Sequence, residues 1–207
     1  EGERNRWREP VSTSPDSQSA RISAVSAAQT MAQQLNATTQ GIQNLRANAE
    51  MGINDSVITA NNAMAQIAFI NNQLQNNGQT DAATASLLDQ RDQYITQLSG
   101  LVDIRTVVNN LNQVTVFTNS GVQLVGTEAS KLSFNPQGTM TPNTLYNSDP
   151  TKNNVGTITI NFPHGGSYDL VSTSSIRSGK IAAYLELRDS TLVKAQAQVD
   201  QFAASIA

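Results

Sequence analysis

The sequence predicts an α+β fold: an elongated antiparallel helical bundle, or rod, with an inserted, mostly β domain. Three observations predict it. From Ile22 to Leu74, apolar or small residues recur mainly at steps of three and four, the spacing of one helix face. From residue 101 the period changes to two, the spacing of strands. At about residue 178 the helical spacing returns. The implied organisation is an irregular segment over 1–15, a discontinuous helical rod domain over 16–100 and 178–207, and an inserted β domain over 101–177.

Residues 1–15 are polar and interrupted by Pro10 and Pro15. "SPDSQSARIS" then starts a helix, with Ser14 or Asp16 offering an N-cap oxygen. The seam runs through Ile22, Val25, Ala28, Met31, Leu35, Thr38, Ile42, Leu45 and Ala49, and continues through Ile53, Val57, Ala60, Met64, Ile67, Asn71 and Leu74. Two successive steps of four at 49–53–57 form a stutter. Gly52 lies there, so a bend or break near 50–55 is expected, with Asn54 or Asp55 capping a second segment. "NNGQTD" at 76–81 reads as a turn, with Gly78 just past one helix and Thr80 or Asp81 capping the next. Leu87, Leu88, Arg91, Ile95 and Leu98 mark that helix, which ends near Gly100. So short a loop implies antiparallel neighbours.

"QVTVFT" (113–118) and "TITINF" (157–162) alternate with period two, and "TVVNN", "VQLV", "KLSF" and "YDLVS" are further strand candidates. Asn119, Ser120 and Gly121 suit a three-residue hairpin loop with glycine in the left-handed position. The Asn-, Pro-, Gly- and Thr-rich stretch 135–156 reads as a long loop. In the last helix Ile181, Leu185, Arg188, Leu192, Val199, Phe202 and Ile206 are spaced for one face. Helical spacing reaches Ala207 without a stop signal, as expected of a fragment.

Composition excludes several function classes. The net charge is −3, and the one dense basic cluster is Arg4, Arg6 and Arg8 around Trp7 in the polar first segment, so nucleic-acid binding is not expected. No apolar run approaches the roughly 20 residues that span a bilayer, so no membrane partner is expected. There are no cysteines, hence no disulfide and no thiolate metal site. The only histidine, His164, lies in the turn "NFPHGGSY", where solvent exposure is expected, and "HGG" has no G-x-S-x-G partner. No P-loop, G-x-G-x-x-G or H-E-x-x-H is present, and "NSDPTKNN" lacks the acid spacing of a calcium loop. No catalytic, cofactor-binding or metal residue is therefore assigned.

One charged pattern occurs twice. "LLDQRDQYI" (87–95) and "YLELRDSTL" (184–192) both contain Leu, an acid, any residue, Arg and Asp. Asp89 and Asp92 share a helix face with Arg91 to the side, and Glu186, Asp189 and Arg188 repeat the arrangement. The clusters flank the inserted β segment. Three readings are open: two solvated helix faces, a catalytic carboxylate pair for which nothing nearby supplies an acid–base partner, or reciprocal inter-helix pairing. In the last, Arg91 meets Asp189 or Glu186, and Arg188 meets Asp92 or Asp89, fixing register where the insertion joins.

The stretches "SPDSQSARISAVSAAQTMAQQLNATTQGIQNLR", "LLDQRDQYITQLSGLVDI" and "SGKIAAYLELRDSTLVKAQAQVDQFAASIA" resemble the flagellar hook-associated protein 1 family, the hook–filament junction proteins. The resemblance covers 12–104 and 176–207, while "EGERNRWREP" and 105–175 do not share it. It implies a non-enzymatic, extracellular subunit of the bacterial flagellum, exported unfolded by the type III apparatus without a cleaved signal peptide, and needing no cofactor. It also implies a homo-oligomeric ring in the full-length protein, contacts with the hook protein and with a second junction protein or filament, and a chaperone acting through a missing C-terminus. The terminal assembly helices are absent from these residues, so a monomer is expected of the fragment. The alternatives are another flagellar axial protein, or a surface-binding, adhesin-like module on a helical stalk.

Overall fold

A seam that repeats every three or four residues for fifty residues builds one long element. In the computed structural model, which describes residues 17–76 and 82–206, helix α1 spans Gln18–Asn76 without interruption. Its first turn is capped by Ser17, whose Oγ accepts the Ala20 N–H at 3.4 Å. The expected break near 50–55 does not occur, and Asn54 and Asp55 lie inside the helix. A helical glycine costs only about 1 kcal/mol relative to alanine. Burial of Ile53 and Val57 beside it offsets that. Gly52 instead makes room: a Cβ there would stand 2.5 Å from Tyr184 Cζ. The expected irregular segment 1–15, the caps Ser14 and Asp16, and the turn positions Gly78, Thr80 and Asp81 lie outside the described residues.

Helix α2 spans Ala82–Leu101. Six strands follow, all antiparallel in their pairings. β1 (Ile104–Val108), β2 (Val114–Thr118) and β3 (Gln123–Val125) form one sheet in that order. β4 (Lys131–Phe134), β5 (Ile158–Asn161) and β6 (Ser167–Asp169) form the other. The period-two stretches match: Val114, Val116 and Thr118 of β2, and Ile158 and Ile160 of β5, are buried. Gly121 takes φ +96°, and its N–H bonds Thr118 C=O at 2.9 Å, as a three-residue hairpin loop with a left-handed glycine requires. The long loop between β4 and β5 is present, and His164 is exposed.

The last helical stretch is not uniform. α3 (Gly179–Glu186) and α4 (Leu192–Ile206) are joined by one π-helical turn, Leu187–Thr191, in which Leu192 N–H reaches Leu187 C=O. Periodicity alone cannot announce the extra residue of such a turn. Phe202, expected on the buried face, is exposed.

The chain divides into two compact units, Leu45–Val193 and Glu1–Asn44 with Lys194–Ala207. Both divisions fall inside helices, α1 and α4. The reason is one shared core: Ile53, Val57, Met64 and Ile67 of α1 bury against Val116 and Leu124 of one sheet and Leu132, Ile158 and Ile160 of the other. In the other unit Ile42 is buried on the seam, and polar side chains bond beside it. Gln43 Nε2 donates to Gln196 Oε1 at 3.0 Å, and Gln196 Nε2 donates to Thr39 Oγ1 at 3.2 Å. Ile22 and Val25 there, and Leu45 at the start of the larger unit, are exposed despite their seam positions.

The segments that lead into and out of the strands meet. Asp103 Oδ1 accepts the N–H groups of Arg177 and Ser178, at 3.0 and 3.5 Å. Gly179 has φ +89°, and a Cβ on it would stand 2.6 Å from Leu101 C=O. Only glycine satisfies both the backbone conformation and the approach.

Candidate functional site

The strongest concentration of buried chemistry lies where α1, the π turn and the long loop converge. Arg46 and Glu50 are four apart on α1 and share a face. Both are buried, as is Arg188 at 0% exposure. Arg188 Nη1 lies 3.2 Å from Glu50 Oε1. Its Nε and Nη2 grip Asp189 through both carboxylate oxygens, at 2.7 and 2.8 Å. This fork-to-fork geometry selects arginine over lysine. The Phe134 ring lies under the guanidinium, 6.0 Å from centroid to Cζ.

The α1 charges also hold the loop. Glu50 Oε2 accepts Gln137 N–H at 3.0 Å and Gly138 N–H at 3.3 Å. Arg46 donates Nη1 to Thr141 C=O at 3.0 Å, Nη2 to Thr144 C=O, and Nε to Arg188 C=O at 2.9 Å. Burial holds the Arg46 guanidinium below the usual arginine range, and neighbouring Arg188 adds to that, while Asp189 and Glu50 oppose it. The cluster holds two cations and two anions. Among the described residues no buried side-chain polar atom lacks a partner. A buried network of this kind contributes little net stability over a hydrophobic replacement, but removing one member costs about 3–5 kcal/mol. Its effect is to admit one loop position and one helix phase.

The first repeat works differently. Arg91 donates Nη1 to Asn112 C=O at 2.5 Å, and Nε and Nη2 to Asp92 Oδ1 at 3.2 and 3.1 Å. It ties α2 to the β1–β2 turn. The expected reciprocal pairs do not form: among the described residues no ion pair joins Arg91 to Asp189 or Glu186, or Arg188 to Asp92 or Asp89. Each arginine instead turns back onto the aspartate that follows it, and its remaining donor meets a group outside the repeat. Asp89 and Glu186 are exposed.

Two asparagines of α1 complete the attachment. Asn71, fully buried, accepts Val114 N–H through Oδ1 at 2.9 Å and donates Nδ2 to Val114 C=O and Gly126 C=O at 2.7 and 2.9 Å. Asn61 does the same to Leu132, with both bonds at 2.8 Å. Each amide side chain substitutes for a strand neighbour, one for each sheet. These residues dock sheets onto a helix. Among the described residues no cluster of His, Cys, Asp or Glu could hold a metal ion, and no helix is long and apolar enough to cross a membrane.

This fold has a counterpart among solved structures. The family model for the flagellar hook-associated protein FlgK helical domain matches residues 6–207. The chain belongs to this FlgK family. A solved structure, described as the flagellar hook junction protein FlgK from Burkholderia pseudomallei, is similar with a TM-score of 0.76 and 29% identity. The similarity covers 98% of this chain and 35% of that one, so this chain spans about a third of its relative's length. A search among curated proteins found no match. Membership of the FlgK family supports a flagellar structural role.

Sequence reasoning missed Arg46, Glu50, Asn61, Asn71 and Asp103. A signal existed for three of them. Asn71 is a polar residue at a seam position, and Arg46 and Glu50 flank seam residue Ala49 at helical spacing. Asn61 and Asp103 stand out from nothing around them.

Proposed function

We propose that the chain is part of a subunit at the junction between the flagellar hook and filament. In its full-length form the protein assembles as a homo-oligomeric ring at the hook tip, between the hook protein and a second junction protein or the filament. The subunit is extracellular and crosses the flagellar type III apparatus unfolded, without a cleaved signal peptide. The observation that carries this reading is the similarity to the hook junction protein FlgK over 98% of the chain. The buried clamps suit the role physically. A subunit under torsional load needs its sheets to hold one register, and paired polar groups impose geometry more strictly than apolar contacts do.

The test uses the full-length protein, purified and mixed with isolated hooks, with hook ends imaged by electron microscopy. Capped hook ends, and filament growth only from capped hooks, are expected. A full-length protein that stays monomeric with hook and filament subunits present would refute the assembly role. Excising 105–175 is a poor test, because Val116, Leu124, Leu132, Ile158 and Ile160 share one core with α1.

A further inference from the structure

The two sheets have four outer edges, and on three of them the chain caps at least one outward backbone group. Along β3, Ser130 donates its N–H to Leu124 C=O at 2.9 Å and its hydroxyl to Gln123 C=O at 3.1 Å. Along β4, Asn61 takes both backbone groups of Leu132. Along β6, the Thr173 hydroxyl donates to Asp169 C=O at 2.5 Å. The fourth edge, β1, has no such partner among the described residues.

The ladder defines what β1 leaves open. Asn109 N–H bonds Gln113 C=O, and Asn119 N–H bonds Asp103 C=O. With Ile104 opposite Thr118 and Val108 opposite Val114, Arg105 and Val107 must direct their backbone groups toward β2. The N–H and C=O of Ile104, Thr106 and Val108 therefore point away from the sheet. Val107 and Val108 are also exposed, at 57% and 55%. The strand has no proline and no bulge, and Arg105 is its only charged side chain.

We propose that β1 is a self-pairing edge, through which two copies of this chain join antiparallel about a two-fold axis at Thr106. The strand is its own complement. In that register Thr106 faces Thr106 of the second copy and Ile104 faces Val108, each pair exchanging both backbone bonds. Arg105 falls opposite Val107, so the one charged residue never faces its copy. Every uncharged position is β-branched, which favours an extended partner. A two-fold contact closes on itself, so it belongs to the free chain and is distinct from any ring contact. Two five-residue strands bury well under the roughly 1,200 Å² of a stable interface, so the pairing is reversible and the monomer dominates in dilute solution.

The test is amide hydrogen exchange by NMR on the 207-residue chain, at low micromolar and at millimolar concentration. Ile104, Thr106 and Val108 amides are expected to exchange at least about tenfold more slowly at the higher concentration, with Arg105 and Val107 unchanged. Thr106→Pro removes the central outward N–H without touching the β1–β2 ladder, and should abolish the concentration dependence; Thr106→Val should keep it. Equal exchange of the three amides at both concentrations overturns the proposal. So does concentration dependence that survives in a folded Thr106→Pro protein, since another surface would then carry it. If Thr106→Pro does not fold, the unsubstituted chain decides the question alone.

Discussion

Replacing Glu50 by glutamine probes the buried cluster with the least change of shape. The side chain keeps its volume and one oxygen but loses its charge. Glu50 serves Arg188 through Oε1 and the Gln137 and Gly138 amides through Oε2. A glutamine can satisfy only one of those sides, because its NH₂ then faces donors on the other. A buried donor left unpaired costs about 1–3 kcal/mol, and breaking a buried ion pair costs about 3–5 kcal/mol. Asp189 still holds Arg188 through two bonds, so we expect the lower part of that range, about 3 kcal/mol. The assay is urea unfolding followed by far-ultraviolet circular dichroism, with the m-value checked for constancy. The decisive form is a double-mutant cycle. Glu50→Gln with Arg188→Met should fall short of additivity by at least about 1 kcal/mol, whereas Arg91→Met with Arg188→Met, which share no partner, should add within about 0.5 kcal/mol. A Glu50→Gln cost below about 0.5 kcal/mol would refute the cluster as described. So would coupling between the two arginines.

The remaining predictions address the other close fits. Asn71→Ala removes three bonds to strand backbone and should cost about 2–4 kcal/mol, while Asn72→Ala, which loses one exposed bond to Thr127, should cost less than about 0.5 kcal/mol; equal effects would discount the clamp. Gly52→Ala should destabilise by about 1–3 kcal/mol and lose most of that penalty in a Tyr184→Ala background, read by thermal unfolding; an additive pair would mean that the ring does not limit the site. In an NMR titration Asp149 should ionise below the ordinary aspartate range, chiefly because the Thr151 hydroxyl and then the Thr151 N–H bond its carboxylate. Since the folded value is depressed, any stability from these bonds is present above the unfolded pKa and lost as pH falls through the folded one; Thr151→Val should raise the value, and no change would discount the hydroxyl. Tyr146 should ionise above the ordinary tyrosine range in a 295 nm titration, because of burial first and the Asp169 and Asp189 charges next.

What the sequence made legible, and what it did not, follows from the range of the forces involved. The seam of α1 from Ala49 to Leu74 and the alternation of "VTVFT" and "ITIN" are local patterns repeated along the chain, so they survive in its text and reappear as buried faces. The Gly121 hairpin is legible because one residue type satisfies its backbone. Pairing is another matter. The R-D repeats draw attention to Arg188, yet its distant partner is Glu50, 138 positions away and in another element. Nothing in "ELRDS" says that its arginine will look inward, because burial depends on the π turn, and that turn arises from packing rather than spacing. The unbroken helix at Gly52 makes the same point from the other side. Glycine there is a statement about Tyr184, although local spacing alone reads it as a statement about the backbone. Asn71 lies between these extremes. A polar residue in an apolar seam is a local anomaly, and the low dielectric around it demands partners. The sequence could therefore have said that Asn71 is bonded, though not that Val114 would be its partner.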